Sequence, residues 1–575
     1  MFITLVKKKI LYNWHFLYFL LLFLILFSTL SPSVGLIDAG ELIFGIEYLN
    51  ILHPTGYPFF TLLGKVFFLF LPFLPPAFKG NLFSFFIGFL AIIILYFLIK
   101  KITNDKLISL IFITIFAFSN LFWSIVNEIE VYSLVVFLIV LICYLFLKSK
   151  KINITYFLFY ILGISLTHHL MILAIILPIL IYFFLTKKKK ITILLIFLFL
   201  GFSFYLYLPI RASLKPLFNW GNPKDFLRFF WHISGKQYRI WSFSLSMEEV
   251  IRNFFKEINF LLKEMLYFYF LLSFWGIYFL FKKNKNFALI LIFTVIIGIL
   301  NAVNYGIPDI QPYYLPAFIP LIIFSAEGFV NIKVFCQKII KSAFLVLTFL
   351  LLIILNYQNN NKRNYYLAED FTFNILQSLP ENALVITDWW DFYSPSLYFR
   401  HLKKIRQDLI IIDKELLRRT FYLEYLKKVY SNFLDTVKEE LKEYEKYLYQ
   451  FEYGKLKNNL DIQRAYVKLL KKFIENKKEK AFIVYLNLRD YDLKALLINK
   501  KLIPYFLAFQ VKDTGEYEYY DFNNLKYRRP QKILNERENL IIDYYKKMIN
   551  LNIYFLEKSN QKEKIEELKK ILLKF

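Results

Sequence analysis

The chain has 575 residues, 58% of them hydrophobic and 20% aromatic, which is too apolar for an ordinary soluble protein and calls for lipid around most of its first two-thirds. A formal charge of +27 would suit nucleic acid, but Lys and Arg gather at the ends of apolar runs, where they orient helices in a bilayer, and no RNA- or DNA-binding motif accompanies them. The partner of the charge is therefore read as the lipid bilayer, with no nucleic acid, and two cysteines, Cys143 and Cys336, offer no disulfide framework.

Taken in order, Lys7-Lys8-Lys9 and the apolar run 10–30 resemble a signal peptide, but further spans follow, so the run is read as an uncleaved first helix. If that lysine cluster is cytoplasmic, the chain is outside at Ser31, and Lys100-Lys101 fall inside only if one of the next two runs does not cross. Run 59–74, beside Pro72, Pro75 and Pro76, is assigned to the interface, within a large first external loop over 31–81; run 82–99 crosses. Spans at 107–123, 131–147, 152–166, 170–185 and 191–208 continue the alternation and open a long external segment. Four more at 266–281, 287–303, 313–330 and 343–356 bring the total to about eleven crossings by length. The expected fold class is an α-helical polytopic membrane domain over 1–356, followed by an extracytoplasmic soluble α/β domain over 357–575. In that second domain β-rich runs at 383–387, 409–412 and 481–486 alternate with helical patterns at 423–449 and 541–575.

The unusual polar residues fall at the external ends of these spans or in external loops: Asp38, Glu41, His53, Glu130, His168, His169, Arg211, Trp220, Gln237 and Tyr238. Ionisable groups beside lipid are costly and mark function. A transporter would keep polar groups near the bilayer midplane on broken helices, a pattern absent here, so a transporter or lipid flippase ranks second to a site at the membrane surface. Each motif also has a structural reading. Asp38-Ala39-Gly40-Glu41 has the spacing of a capping box, or Asp38 is a general base with Glu41 holding the loop, a water or a metal. His53-Pro54-Thr55-Gly56-Tyr57-Pro58 is a stiff corner, or it brings His53 and Tyr57 to a substrate cavity. His168-His169 are interfacial caps or phosphate ligands. Arg211, after Pro209, is a snorkelling residue or a guanidinium fork for a phosphate.

In this order these motifs resemble the transmembrane protein 260 family: Asp38-Ala39-Gly40-Glu41, His53 to Pro58, Glu130-Val131-Tyr132-Ser133, Thr167-His168-His169, Pro209-Ile210-Arg211, Asn219-Trp220-Gly221-Asn222-Pro223 and Gln237-Tyr238. The resemblance covers roughly residues 10–238, with looser continuations at 304–316 and 388–413. It implies a glycosyltransferase of the C-type fold that uses a polyprenyl-phosphate-linked sugar donor and, in the eukaryotic member, transfers mannose to protein Ser or Thr. Carried across, Asp38 is the first-loop acid with Glu41 beside it, Arg211, His168 and His169 face the donor phosphate, and His53, Tyr57, Glu130, Trp220, Gln237 and Tyr238 line the cavity. No cofactor is assigned, and a divalent metal is compatible with the acids. The expected acceptor is an extracytoplasmic protein or glycan; the Lys, Ile, Asn and Phe bias of the composition points to a bacterial inner membrane, with the active site expected on the periplasmic or extracytoplasmic face. Ala39 stands where Ser is common and Thr55 where a second Pro is common, and the threonine is expected to leave its turn less rigid.

Overall fold

The computed structural model describes residues 14–186, 190–487 and 491–575. The Lys7 to Lys9 cluster, the first residues of the 10–30 span and Lys187 to Lys189 lie outside them. The chain divides into two compact units. One comprises Met1–Ser31, Pro54–Ile210 and Asp225–Arg363, the other Pro32–His53, Arg211–Lys224 and Asn364–Phe575. The second unit thus takes in the tail together with two segments from the expected external loops.

In the first unit every expected span is a helix, but the count of crossings by length changes. Five helices among the described residues are long and apolar enough: Pro76–Thr103, Ile191–Ser213, Lys285–Val303, Gln311–Val330 and Lys338–Asn360. Two bent pairs, Lys106–Ala117 with Asn120–Val126 and Met247–Glu264 with Phe268–Lys283, raise the number to seven, against the eleven expected. The remaining apolar helices are short for a physical reason. Thr167-His168-His169 ends the Ile152–Leu166 helix, whose 15 residues extend about 22 Å against a hydrocarbon core of roughly 30 Å. Interhelical polar contacts tie the unit together. Trp123 Nε1 donates to Thr29 Oγ1 at 2.9 Å, and the amides of Asn120, Asn356 and Asn360 bond to one another at 2.8 and 2.9 Å.

The second unit is built on a five-stranded sheet in the order β2-β1-β3-β5-β4. Strands β1 (Leu384–Thr387), β2 (Ile410–Asp413) and β3 (Ala481–Val484) are parallel, with Leu384 opposite both Ile410 and Ala481, and all three are buried throughout. Burial on both faces explains why they read as unbroken apolar runs. They correspond to the three expected strands. Strands β4 (Lys501–Tyr505) and β5 (Ala508–Lys512) form an antiparallel hairpin that the sequence reading missed, because Pro504 argues against a strand and its tight turn carries Phe506 in the left-handed region in place of a glycine. Strand β1 lies between its parallel neighbours β2 and β3, so its carboxyl end is the topological switch point, where open α/β sheets place ligands and functional loops. That end runs into Asp388-Trp389-Trp390-Asp391 and the Trp390–His401 helix.

Candidate active site

Within the second unit the Ala39–Tyr48 helix starts at Asp38 and carries Glu41 on its first turn. The capping-box reading fails there. Asp38 makes no side-chain bond to its own helix, and the Glu41 carboxylate turns to His53. Glu41 Oε1 accepts the His53 backbone N–H at 2.9 Å, and Oε2 lies 2.8 Å from the ring Nδ1. The other ring nitrogen, Nε2, is 3.9 Å from Asp38 Oδ2. Asp38 Oδ1 accepts the indole N–H of Trp390 at 2.8 Å.

The Trp390–His401 helix explains how this helix start is held. Asp391 Oδ1 accepts the Ile37 N–H at 2.9 Å, while its Oδ2 accepts from Arg537 Nη1 at 2.7 Å and Trp389 Nε1 at 3.2 Å. Ser394 Oγ accepts the Glu41 N–H at 3.1 Å. The two helices touch through backbone: a Cβ on Gly40 would stand 2.0 Å from the Ser394 carbonyl oxygen, which no rotamer relieves. At the far end of the Ala39–Tyr48 helix, Leu49 is left-handed, and Arg211 donates from Nε to the Leu49 carbonyl at 2.6 Å and from Nη2 to the Tyr48 carbonyl at 2.9 Å. Arg211 is therefore a C-terminal cap for this helix, where its charge also suits the helix dipole, rather than a snorkelling residue. Trp220 is brought in by a bridge between Ile51 and Asn219. It meets the His53 ring edge-on at 5.8 Å, the Trp390 ring at 6.0 Å and the Phe421 ring in a stack at 5.2 Å.

Exposure and charge separate the two acids. The Glu41 side chain is 1% exposed and that of Asp38 29%. Burial raises the Glu41 carboxyl above its ordinary value, opposed by the charge and hydrogen bonds of His53. Ionised Glu41 requires an N–H on Nδ1, which in the neutral ring leaves the Nε2 lone pair toward Asp38. The unit therefore presents a histidine oriented by a buried acid beside a second, open acid. Ligand atoms of Asp38, Glu41 and His53 all lie within 4.8 Å of one another, so these three residues also fit a divalent cation, which would replace the proton shared by Glu41 and His53.

Tyr57, Glu130, His168, His169, Gln237 and Tyr238 belong to the first unit. Tyr57 begins the Pro58–Leu69 helix with a left-handed backbone, and its hydroxyl donates to the Pro54 carbonyl at 3.3 Å. The expected looseness of this turn is not seen: Thr55 Oγ1 donates to the His168 carbonyl at 2.9 Å, a tie proline lacks the hydroxyl to make. Gly56 is required, since a Cβ at its φ of +89° would stand 2.9 Å from His232 Nε2. His168 bonds through Nε2 to the Val131 carbonyl at 2.8 Å, and His169 stacks on Tyr57 at 6.0 Å and accepts the Met171 N–H at 3.2 Å. The Glu130 backbone N–H donates to Ser84 Oγ at 2.9 Å, and Tyr238 stacks on Trp241 in the turn of Lys236–Trp241 that also holds Gln237.

Sequence reasoning missed Trp390, Asp391 and Ser394. A signal existed: two tryptophans between two acids directly after a β run is a costly composition for a plain loop.

Long apolar helices in one unit mark a multi-pass membrane protein, and the other unit carries a carboxylate–histidine cluster on an α/β frame. Residues 38–192 match the model of the Protein O-mannosyl-transferase TMEM260 N-terminal domain, the family that the motifs resemble. The Arg211, Trp220 and Gln237-Tyr238 motifs lie beyond the matched span. A stretch of 108 residues is 37% identical to Protein O-mannosyl-transferase tmem260 of Dictyostelium discoideum, covering 18% of this chain and 13% of that protein. Another of 106 residues is 33% identical to Protein O-mannosyl-transferase TMEM260 of Mus musculus, covering 18% of this chain and 15% of that protein. The chain thus spans less than a sixth of the length of these relatives. Among solved structures, ArnT from Cupriavidus metallidurans bound to undecaprenyl phosphate aligns with 69% of this chain and 86% of its own, at 10% identity and a TM-score of 0.48. The apo form aligns with 71% and 90%, at 9% identity and 0.44.

Proposed function

We propose that the chain is an integral-membrane glycosyltransferase moving a sugar from a polyprenyl-phosphate-linked donor to an acceptor hydroxyl on the extracytoplasmic side. Protein hydroxyls and mannose, which the relatives' names carry, are the first acceptor and sugar to try. The observation that supports this most is that Asp38, at a helix start where an acid ordinarily caps, is turned away from its helix toward Trp390 and the Glu41-held histidine. A carboxylate kept open in this way is suited to general-base work.

In the proposed step the acceptor O–H gives its proton to Asp38 Oδ2 as its oxygen forms a bond to the sugar C1. The bond from C1 to the phosphate oxygen breaks, and its electron pair leaves on the polyprenyl phosphate, inverting the anomeric centre. His53 Nε2 is the next acceptor for the proton, and Glu41 stabilises the imidazolium that results. Arg211 keeps further N–H groups beyond its two carbonyl bonds and is assigned to the lipid phosphate; His168 and His169 are assigned to donor binding on the family resemblance.

The test is purified protein incubated with a panel of labelled polyprenyl-phosphate sugars, reading release of lipid phosphate and transfer of label. Folded Asp38→Asn protein is expected to lose roughly 10²- to 10⁴-fold in rate, the usual share of a general base. Near-normal release from that variant would remove Asp38 as base, and no release from the native protein with any donor would overturn the reaction class.

A further inference from the structure

We infer that Trp390, at the carboxyl end of β1, is a positioning residue for Asp38. Its indole N–H holds Oδ1 and so presents Oδ2 to the acceptor and to His53. The inference deepens the proposed transfer reaction and rests on it for its kinetic half.

The argument starts from what Asp38 would otherwise do. An aspartate at an N-cap accepts the N–H of the second or third helical residue, and it is among the strongest residues for that role. Here the third of these donors, the Glu41 N–H, is already taken by Ser394 Oγ at 3.1 Å, and the preceding Ile37 N–H by Asp391 Oδ1 at 2.9 Å. Both come from the same helix as Trp390, whose own N–H then reaches Asp38 Oδ1 at 2.8 Å. Ser394, on the same helix as Trp390, thus takes one of the cap donors that Asp38 would otherwise accept, and Trp390 turns the acid away from its helix. The indole is held in that direction by packing, with Tyr393 at 5.8 Å and 31° and Trp220 at 6.0 Å and 79°. Anchoring one oxygen removes the rotation that would return Asp38 to its own helix, and it distinguishes the two oxygens chemically. The tail domain is then part of the catalytic apparatus, through a residue some 350 positions from the acid it serves.

Trp390→Phe keeps the ring and removes the N–H. The expected result is a kcat about 10- to 100-fold lower, which is what a lost hydrogen bond to a charged group is worth, with KM for the donor unchanged. In an Asp38→Asn background the same change should cost nothing further, because the residue acts through Asp38. A Trp390→Phe protein with native kcat, or losses that multiply in the double variant, would overturn the assignment. The contact has its own readout. The ¹⁵N-indole resonance of Trp390, identified by its disappearance in Trp390→Phe, should shift in Asp38→Ala protein, and an unmoved resonance overturns the inference. Should the native protein release phosphate from no donor, the transferase reading falls while this resonance still decides whether Trp390 is the partner of Asp38.

Discussion

At the scale of single residues, Glu41 does more than its place beside Asp38 suggests. It is the deepest of the three polar groups, accepting the backbone N–H of His53 and bonding to its ring Nδ1. Glu41→Gln keeps the shape and an oxygen for the His53 backbone N–H but offers an amide N–H to the ring, so Nδ1 becomes an acceptor and Nε2 carries the hydrogen toward Asp38. With the tautomer reversed, the histidine no longer receives a proton from Asp38. Transfer should fall by about two orders of magnitude in a protein that folds normally, less than the roughly 10⁴-fold of a triad histidine held in the wrong tautomer because here Asp38 and not the histidine is the first base. Steady-state kinetics beside a thermal melt checks this, and a native rate would make Glu41 purely structural. Asp38, Glu41 and His53 could be singled out from sequence because they fall within one short stretch of chain. Trp390 could not, since nothing local couples it to Asp38. Arg211 was noticed for its charge, but charge does not reveal that its first partners are the carbonyls at the end of a helix.

Among elements, the parallel strands were legible and the hairpin after them was not, for opposite reasons. Doubly buried strands are apolar along nearly their whole length, as AFIV is throughout and LVIT and IIID are up to their last residue, while the β4–β5 pair owes its existence to contact with β3 and carries a proline that local rules place outside strands. Strand β2 ends in a buried acid with a measurable consequence. Asp413 Oδ1 accepts the Glu415 and Leu416 N–H groups at 2.9 and 2.7 Å, yet burial pushes its carboxyl up to about 7. Between the ordinary carboxyl range and that value the folded chain holds a proton that the unfolded chain has released. This group's contribution to stability is therefore full at low pH and falls as pH rises, by about 1.4 kcal/mol per unit across roughly pH 4 to 7. Asp413→Asn keeps the accepting oxygen and removes the titration. The difference in unfolding free energy between variant and native protein should grow in the variant's favour from pH 4 to pH 7; a flat difference would show that Asp413 is ionised throughout.

For the whole molecule, the way segments gather into the second unit constrains membrane topology more tightly than helix length does. Pro32–His53, Arg211–Lys224 and Asn364–Phe575 form one compact body with a polar site, so all three lie on one side of the bilayer. The chain must then cross an even number of times between residues 54 and 210, and again between 225 and 363. Helices that satisfy the length criterion, with each bent pair counted as one span, give three crossings in the first interval and four in the second. Three is odd, so an odd number of the shorter apolar helices in the first interval also crosses; Tyr132–Lys148, Ile152–Leu166 and Leu170–Thr186 are the three that the charge alternation selected. Short spans are tolerated where the bilayer thins or flanking lysines snorkel, and Lys148, Lys150 and Lys151 sit where that is needed. In a cysteine-free background, single cysteines at Tyr48, Lys215 and Glu381, one exposed position in each segment, should all react with a membrane-impermeant maleimide from the same side of sealed vesicles. A cysteine at Lys150 should react only from the other side. Labelling of position 381 from the side opposite to 48 and 215 would separate the tail from the acid loop, and Trp390 would then be unable to reach Asp38.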